Sequence, residues 1–204
     1  MPDERDQILS RVREALASIK ERAALPDYEG ELAVMRRLLA DRDPVAVFAE
    51  RLKLLNGETI FGAEALAERL RAGTWAHGYC DPQLWPALQS ALQAGFVVES
   101  EFDRERVDDY QFGITRAVGA IAETGTIILD DHTTSRRLAA LAPWVHIAVV
   151  PRNRVFSDLT HAVTAFGDDP NVIWCTGPSR TADVEGILIR GVHGPGVQIA
   201  LFLD

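Results

Sequence analysis

The sequence predicts an α/β fold, a mainly parallel sheet flanked by helices, with an N-terminal helical extension. Three observations predict it. Short extended stretches at residues 58–61, 74–79 and 96–99 alternate with helical patterns at 63–72 and 82–94, which is the rhythm of repeated β-α units. Apolar, β-branched runs at 145–151 and 171–177, together with the closing VQIALFLD, read as strands covered on both faces. The first 24 residues instead repeat at helical spacing, which sets an extension at 1–42 apart from an α/β domain at 43–204.

Taken in order, Ile8, Val12, Ala15, Leu16, Ile19 and Ala23 recur at three and four residues and place one apolar stripe on a helix over 5–24. Leu25-Pro26 and Gly30 interrupt it as a hinge, and Leu32, Met35, Leu38 and Leu39 predict a second short helix. Asp43-Pro44 is a helix start: the carboxylate accepts from free amides, and proline sits in the first turn, where its missing N–H costs little. That helix ends near Asn56-Gly57. In the second half, AIAETGTIILD (120–130) predicts two strands reversing about a Thr-Gly turn, because glycine supplies the positive φ that a tight reversal needs. Ser157-Asp158 opens a helix that runs through Phe166, and the VQIALFLD strand finishes the sheet.

Composition narrows the function classes. With 204 residues, 47% hydrophobic and 25% charged, the chain can bury one sizeable core and has neither a disordered nor a fibrous profile. A formal net charge of -9 opposes a nucleic-acid backbone as the main partner, since that requires a concentrated positive surface. Two cysteines, Cys80 and Cys175, fit a reducing compartment, with a disulfide between them as the alternative. No apolar run reaches the roughly 20 residues of a membrane span, and the opening MPDERDQILS lacks the layout of a secretory signal, so the expected location is the cytoplasm.

Ligands of open α/β sheets collect beyond the carboxyl ends of strands, and three segments have the residues for such a site. Glu123, Thr124, Gly125 and Thr126 combine a carboxylate, two hydroxyls and a glycine that admits a ligand to the backbone; the alternative is a plain hairpin turn. Gly177, Ser179, Arg180, Thr181 and Asp183 follow an apolar strand and offer hydroxyls, a planar cationic fork and successive amides suited to a small carboxylate or phosphate. Alternatively, Asp183 and Glu185 cap a helix and neutralise Arg180. In the third segment, Gly191 and Gly194 hold His193 out on a turn, where an imidazole can carry a proton near neutral pH. Glu123 and His193 are thus the candidate catalytic residues. The remaining histidines form no His-x-x-x-His pair and the cysteines stand 95 positions apart, so no metal site is expected. His146, inside an apolar strand, reads as a core residue, and Arg136 and Arg137 as solvated surface charge. Phosphate-loop, dinucleotide and Gly-x-Ser-x-Gly hydrolase signatures do not occur.

GAIAETGTIIL, TGPSRTADVEGILIRGVHGP and the closing VQIALFLD, in that order, resemble the lactate utilization protein C family, the short members of the LUD-domain group. The likeness covers about 45–204, so the α/β domain at 43–204 is identified as the LUD domain. Residues 123–126 fall on the family's AETGT element, 177–185 on GPSRTADIE, and His193 and Gly194 on GVHGP. The resemblance implies a fold related to ribose-phosphate isomerases, glucosamine-phosphate deaminases and CoA-transferases. It also implies a component of L-lactate oxidation to pyruvate, working beside a cysteine-rich subunit and an iron–sulfur subunit. Iron–sulfur clusters are then expected in those partners, with no cofactor bound by this chain alone. Two other functions stay open at the level of sequence. One is a free-standing isomerase or CoA-transferase-like enzyme with Glu123 as base or nucleophile. The other is a non-catalytic assembly or regulatory subunit that docks through the N-terminal helix.

Overall fold

A computed structural model of the chain describes residues 3–19, 41–134, 137–166, 171–182 and 188–203. The chain divides into two compact units, Met1–Met35 and Arg36–Asp204. In the first, α1 (Glu4–Leu16) follows the predicted helical period, with Ile8, Val12 and Leu16 exposed along its stripe. The helix expected over 32–39 lies outside the described residues.

The second unit opens as the sequence predicts. Asp43 caps α2 (Pro44–Leu54), its two carboxylate oxygens accepting from the Val45 and Ala46 amides at 3.3 and 3.1 Å. The chain then alternates β1 (Glu58–Phe61), α3 (Ala63–Ala72), β2 (His77–Cys80), α4 (Trp85–Leu92) and β3 (Val97–Glu99). After β4 (Phe112–Arg116) come the hairpin strands β5 (Gly119–Ile121) and β6 (Thr126–Leu129), α5 (Arg137–Leu141), β7 (Val145–Val149), β8 (Val155–Phe156) and α6 (Leu159–Phe166). Short strands β9 (Ile173–Cys175), β10 (Arg180–Ala182) and β11 (Leu188–Arg190) lead to β12 (Val197–Phe202).

Six strands form one parallel sheet in the order β1-β12-β7-β4-β2-β3. The last strand therefore does not close an edge; it is inserted between β1 and β7. From β2 the chain steps outward to β3, returns past β2 to β4, and then proceeds the other way through β7 to β12. The direction of winding thus reverses between β2 and β4, and such a switch point leaves a crevice beyond the strand ends.

Both faces of this sheet are covered. Alternation along β7 and β12 sends Val145, Ile147, Ile199 and Leu201 to the side of α3 and α4, where Leu66, Leu70, Leu88 and Leu92 are fully buried. Ala148, Ala200 and Phe202 face the other way, against Phe48 and Leu52 of α2 and Ile127 and Leu129 of a second sheet. That sheet runs β8-β5-β6-β9, with β5 and β6 antiparallel as the Thr-Gly turn predicts. The run at 171–177, expected to be a covered strand, supplies β9, which among the described residues pairs with β6 alone and leaves Trp174 38% exposed. As an edge strand it lacks a neighbour to cover its outer side.

Both cysteines are free thiols, so the disulfide alternative is not realised. His146 is the core residue the sequence implies. It is 2% exposed, 3.0 Å from the Thr115 hydroxyl, and burial pulls its pKa down to about 4. Arg137 is exposed and pairs with Asp131 at 2.8 Å, while Arg136 lies outside the described residues.

Candidate functional site

The hairpin turn between β5 and β6 carries the first candidate group. Gly125 closes it at φ +67°, and a Cβ there would stand 2.6 Å from the Leu52 amide nitrogen of α2. Glycine is therefore required twice, by its backbone angle and by the helix pressed against it. The Glu123 carboxylate accepts from the Leu159 amide at 3.2 Å, placing its negative charge at the N-terminus of α6. The Thr124 and Thr126 hydroxyls are 2.7 Å apart, and Thr126 continues to Thr176 at 2.8 Å. Three hydroxyls thus run in a line from the hairpin to the segment after β9, a link that joins the first candidate group to the second.

The second group meets the same helix. Gly177, at φ +81°, would press a Cβ onto Leu55 at 3.0 Å, and Arg180 donates from Nη2 to the Leu55 carbonyl at the end of α2. A cation satisfying a terminal carbonyl complements the negative end of the helix dipole. Residues 180–182, expected as loop, form β10, paired antiparallel with β11 so that Arg180 stands opposite Arg190 and Thr181 opposite Ile189. Asp183 and Glu185 lie outside the described residues. Ser179 gives its amide to the Pro195 carbonyl at 2.8 Å and takes the Gly191 amide on its own carbonyl at 3.1 Å. Those two bonds lock the third group onto the second, and Gly194 packs against the Ser179 side chain.

The three loops are therefore joined in sequence, hairpin to β9–β10 segment to 191–195 turn. Their charged groups are not gathered into one recess. Glu123 is turned to α6, Arg180 to the end of α2, and His193 is exposed. Gly191 and Gly194 instead border a cleft of about 360 Å³ with Trp75, Tyr110 and Trp144. Neither Glu123 nor Arg180 lines it. Thr176 opens the second candidate segment in the sequence, whereas Leu55 is not singled out there. Leu55 takes part through a backbone carbonyl, which no side-chain pattern reveals. Thr176 acquires meaning only when β9 pairs with β6.

Among the described residues no group of three or more His, Cys, Asp or Glu is placed to hold a metal ion, and no helix is long and apolar enough to cross a membrane. Residues 59–203 match the LUD domain family model. The chain belongs to the LUD domain family. Among its relatives, lactate utilization protein C of Geobacillus thermodenitrificans is 33% identical over 122 residues, covering 54% of this chain and 50% of that protein. The Bacillus licheniformis and Deinococcus radiodurans proteins of the same name are 35% and 37% identical over 119 and 87 residues. Those alignments cover 54% and 40% of this chain and 50% and 41% of the relatives. This LUD chain thus spans about half the length, or less, of the relatives it matches. The crystal structure of a DUF162 family protein from Deinococcus radiodurans superposes with a TM-score of 0.58 and 23% identity, over 79% of this chain and 96% of that one, a likeness of fold.

Proposed function

We propose that this LUD domain serves lactate utilization, as a component of a system that oxidises L-lactate to pyruvate. The reading is supported by the names of its relatives, and by the hydrogen bonds that knit three otherwise distant loops into one cluster. Oxidation of a secondary alcohol to a ketone releases two electrons and two protons. The two thiols of this chain, Cys80 buried and Cys175 partly buried, are raised by desolvation to about 12 and 11 and do not make a cluster-binding set. As the resemblance to lactate utilization proteins implies, the electrons pass to cysteine-rich and iron–sulfur partner subunits, and the chain's own share is to hold a small anion.

In the joined loops, Thr124, Thr126 and Ser179 supply hydroxyls and Gly125, Gly177, Thr181 and Gly194 supply close backbone. Arg180, released from the Leu55 carbonyl, meets the ligand's charge, with Asp183 beside it in sequence. Glu123 or His193 exchanges the proton. Thermal shift and calorimetry with lactate, pyruvate, sugar phosphates and acyl-CoA, on the wild type and Arg180→Ala, test this. A stabilisation that the variant reduces is expected. Identical responses in both proteins would remove the loop site.

A second function is favoured by the present partners of the charged groups. Glu123 and Arg180 both satisfy helix ends, as they would in a non-catalytic assembly subunit. In that case removing residues 1–24 abolishes co-purification with the iron–sulfur partner, while Arg180→Ala leaves lactate oxidation by the assembled system intact.

A further inference from the structure

The crevice at the switch point between β2 and β4 holds a second set of groups, at the opposite end of the β5–β6 hairpin from the Glu123–Thr126 turn. Arg116 closes β4 and Asp81 follows β2. The Arg116 Nε donates to Asp81 Oδ2 at 2.8 Å, and Asp81 Oδ1 accepts the Gln83 amide at 2.8 Å. Both oxygens of a carboxylate that is 1% exposed are thereby engaged, and the guanidinium is held by its inner nitrogen. Among the described residues neither Arg116 Nη donates a hydrogen bond, although the side chain is 24% exposed. Arg116 lines a cleft of about 300 Å³ with Thr133 and the apolar walls Leu84, Val150, Pro151 and Leu203.

We infer that this cleft binds a small monocarboxylate with a short aliphatic tail, its carboxylate on the Arg116 Nη pair and its tail against Leu84, Val150 and Leu203. Several features of the site point to this class. A guanidinium offers two parallel donors to a planar carboxylate. Asp81 orients it through Nε, so the outer fork is fixed before a ligand arrives, which lowers the cost of ordering on binding. The negative charges nearby set the charge limit. Asp81 already balances Arg116, and Asp130, also buried, faces Thr133 and Thr134 with its Oδ1 taken up by their amides at 2.5 and 3.2 Å. Among the described lining residues Arg116 is the one cation, so a second full negative charge gains less there, and phosphate and dicarboxylates bind more weakly than monocarboxylates. Apolar walls in place of further donors favour an alkyl tail over a sugar.

The site is independent of the loop cluster and is tested beside it. Propionate, pyruvate, succinate and inorganic phosphate are titrated by calorimetry into the wild type, Arg116→Gln and Arg180→Ala. Saturable propionate and pyruvate binding is expected in the wild type and in Arg180→Ala, weakened about 10- to 100-fold in Arg116→Gln, the range for losing a charge-assisted contact. Phosphate and succinate should bind more weakly than propionate throughout. Should Arg116→Gln fail to fold, phenylglyoxal labelling of the wild type with peptide mapping replaces it, and propionate should slow modification of Arg116. Binding that Arg116→Gln retains and Arg180→Ala loses would overturn this inference in favour of the loop cluster. Absence of saturable binding in the wild type, or labelling of Arg116 indifferent to propionate, would overturn it outright.

Discussion

Acidification from pH 7 to pH 5 perturbs one buried group before it reaches most carboxylates. His146 sits in the middle of β7 with its ring against Thr115, and desolvation lowers its pKa from 6.5 to about 4. In the unfolded chain the imidazole takes up a proton as the pH drops through 6.5, whereas the folded protein refuses it until about 4. The stability contribution is therefore complete above 6.5, declines as the pH falls, and is gone below 4. Two and a half pKa units correspond to about 3 kcal/mol, of which about 2 kcal/mol is already lost by pH 5. Glu99, held low chiefly by the His77 hydrogen bond, weakens the fold only at lower pH, where its carboxylate protonates. The assay is urea unfolding at pH 7, 6 and 5 on the wild type and on His146→Gln, which keeps a polar atom near Thr115 without titrating. The wild type should lose about 2 kcal/mol more than the variant across this range. Parallel curves would show that His146 titrates normally, and burial would no longer account for its place in the sheet.

Four further outcomes follow from the loop geometry and the thiols. Gly125→Ala must adopt a positive φ and push into the Leu52 amide, so it should destabilise by about 3 kcal/mol, read as a fall in urea midpoint at unchanged slope. Arg180→Ala uncaps α2 and should cost about 0.5–1 kcal/mol, a cost that salt reduces in the wild type. Thr126→Val cuts the hydroxyl line between Thr124 and Thr176 and should cost about 1 kcal/mol by thermal denaturation. Cys80, buried with its thiol raised to about 12, should react with iodoacetamide at pH 8 only as fast as the protein opens, and the partly exposed Cys175, raised to about 11, should react sooner but more slowly than a free thiol.

Much of the fold was legible because it rests on short-range chemistry. Asp43-Pro44 caps α2 as a cap and a proline should, and the Thr-Gly pair turns the β5–β6 hairpin where glycine is needed. The α/β rhythm from 58 to 99 yields parallel strands and their helices with small shifts at the ends. The loop cluster was legible only as a set of segments. That these segments touch follows from strand pairing and from the 2.8 Å contacts of Thr126 with Thr176 and of Ser179 with Pro195. What their charged groups do was not legible, because the partners of Glu123 and Arg180 are a backbone amide and a carbonyl supplied from far along the chain.

The unread strand shows why the crevice escaped notice. β4, FGITR, has a glycine at its second position, and glycine is a poor strand former in isolation. In the fold Gly113 is necessary, since a Cβ there would lie 1.9 Å from the Ala139 carbonyl of α5, which packs directly on the strand. The close approach that erases the strand's signature is also what brings β4 into the centre of the sheet, between β7 and β2. Only that central place carries Arg116 to Asp81, 35 residues earlier in the chain. An arginine that no sequence pattern singles out thus becomes a fixed guanidinium at the switch point. Gly113→Ala should therefore displace α5 or β4 and disturb the Arg116 cleft together with stability, whereas Arg116→Gln, which leaves Asp81 without its ion-pair partner, should weaken the cleft's ligand and lower stability with α5 and β4 kept in place.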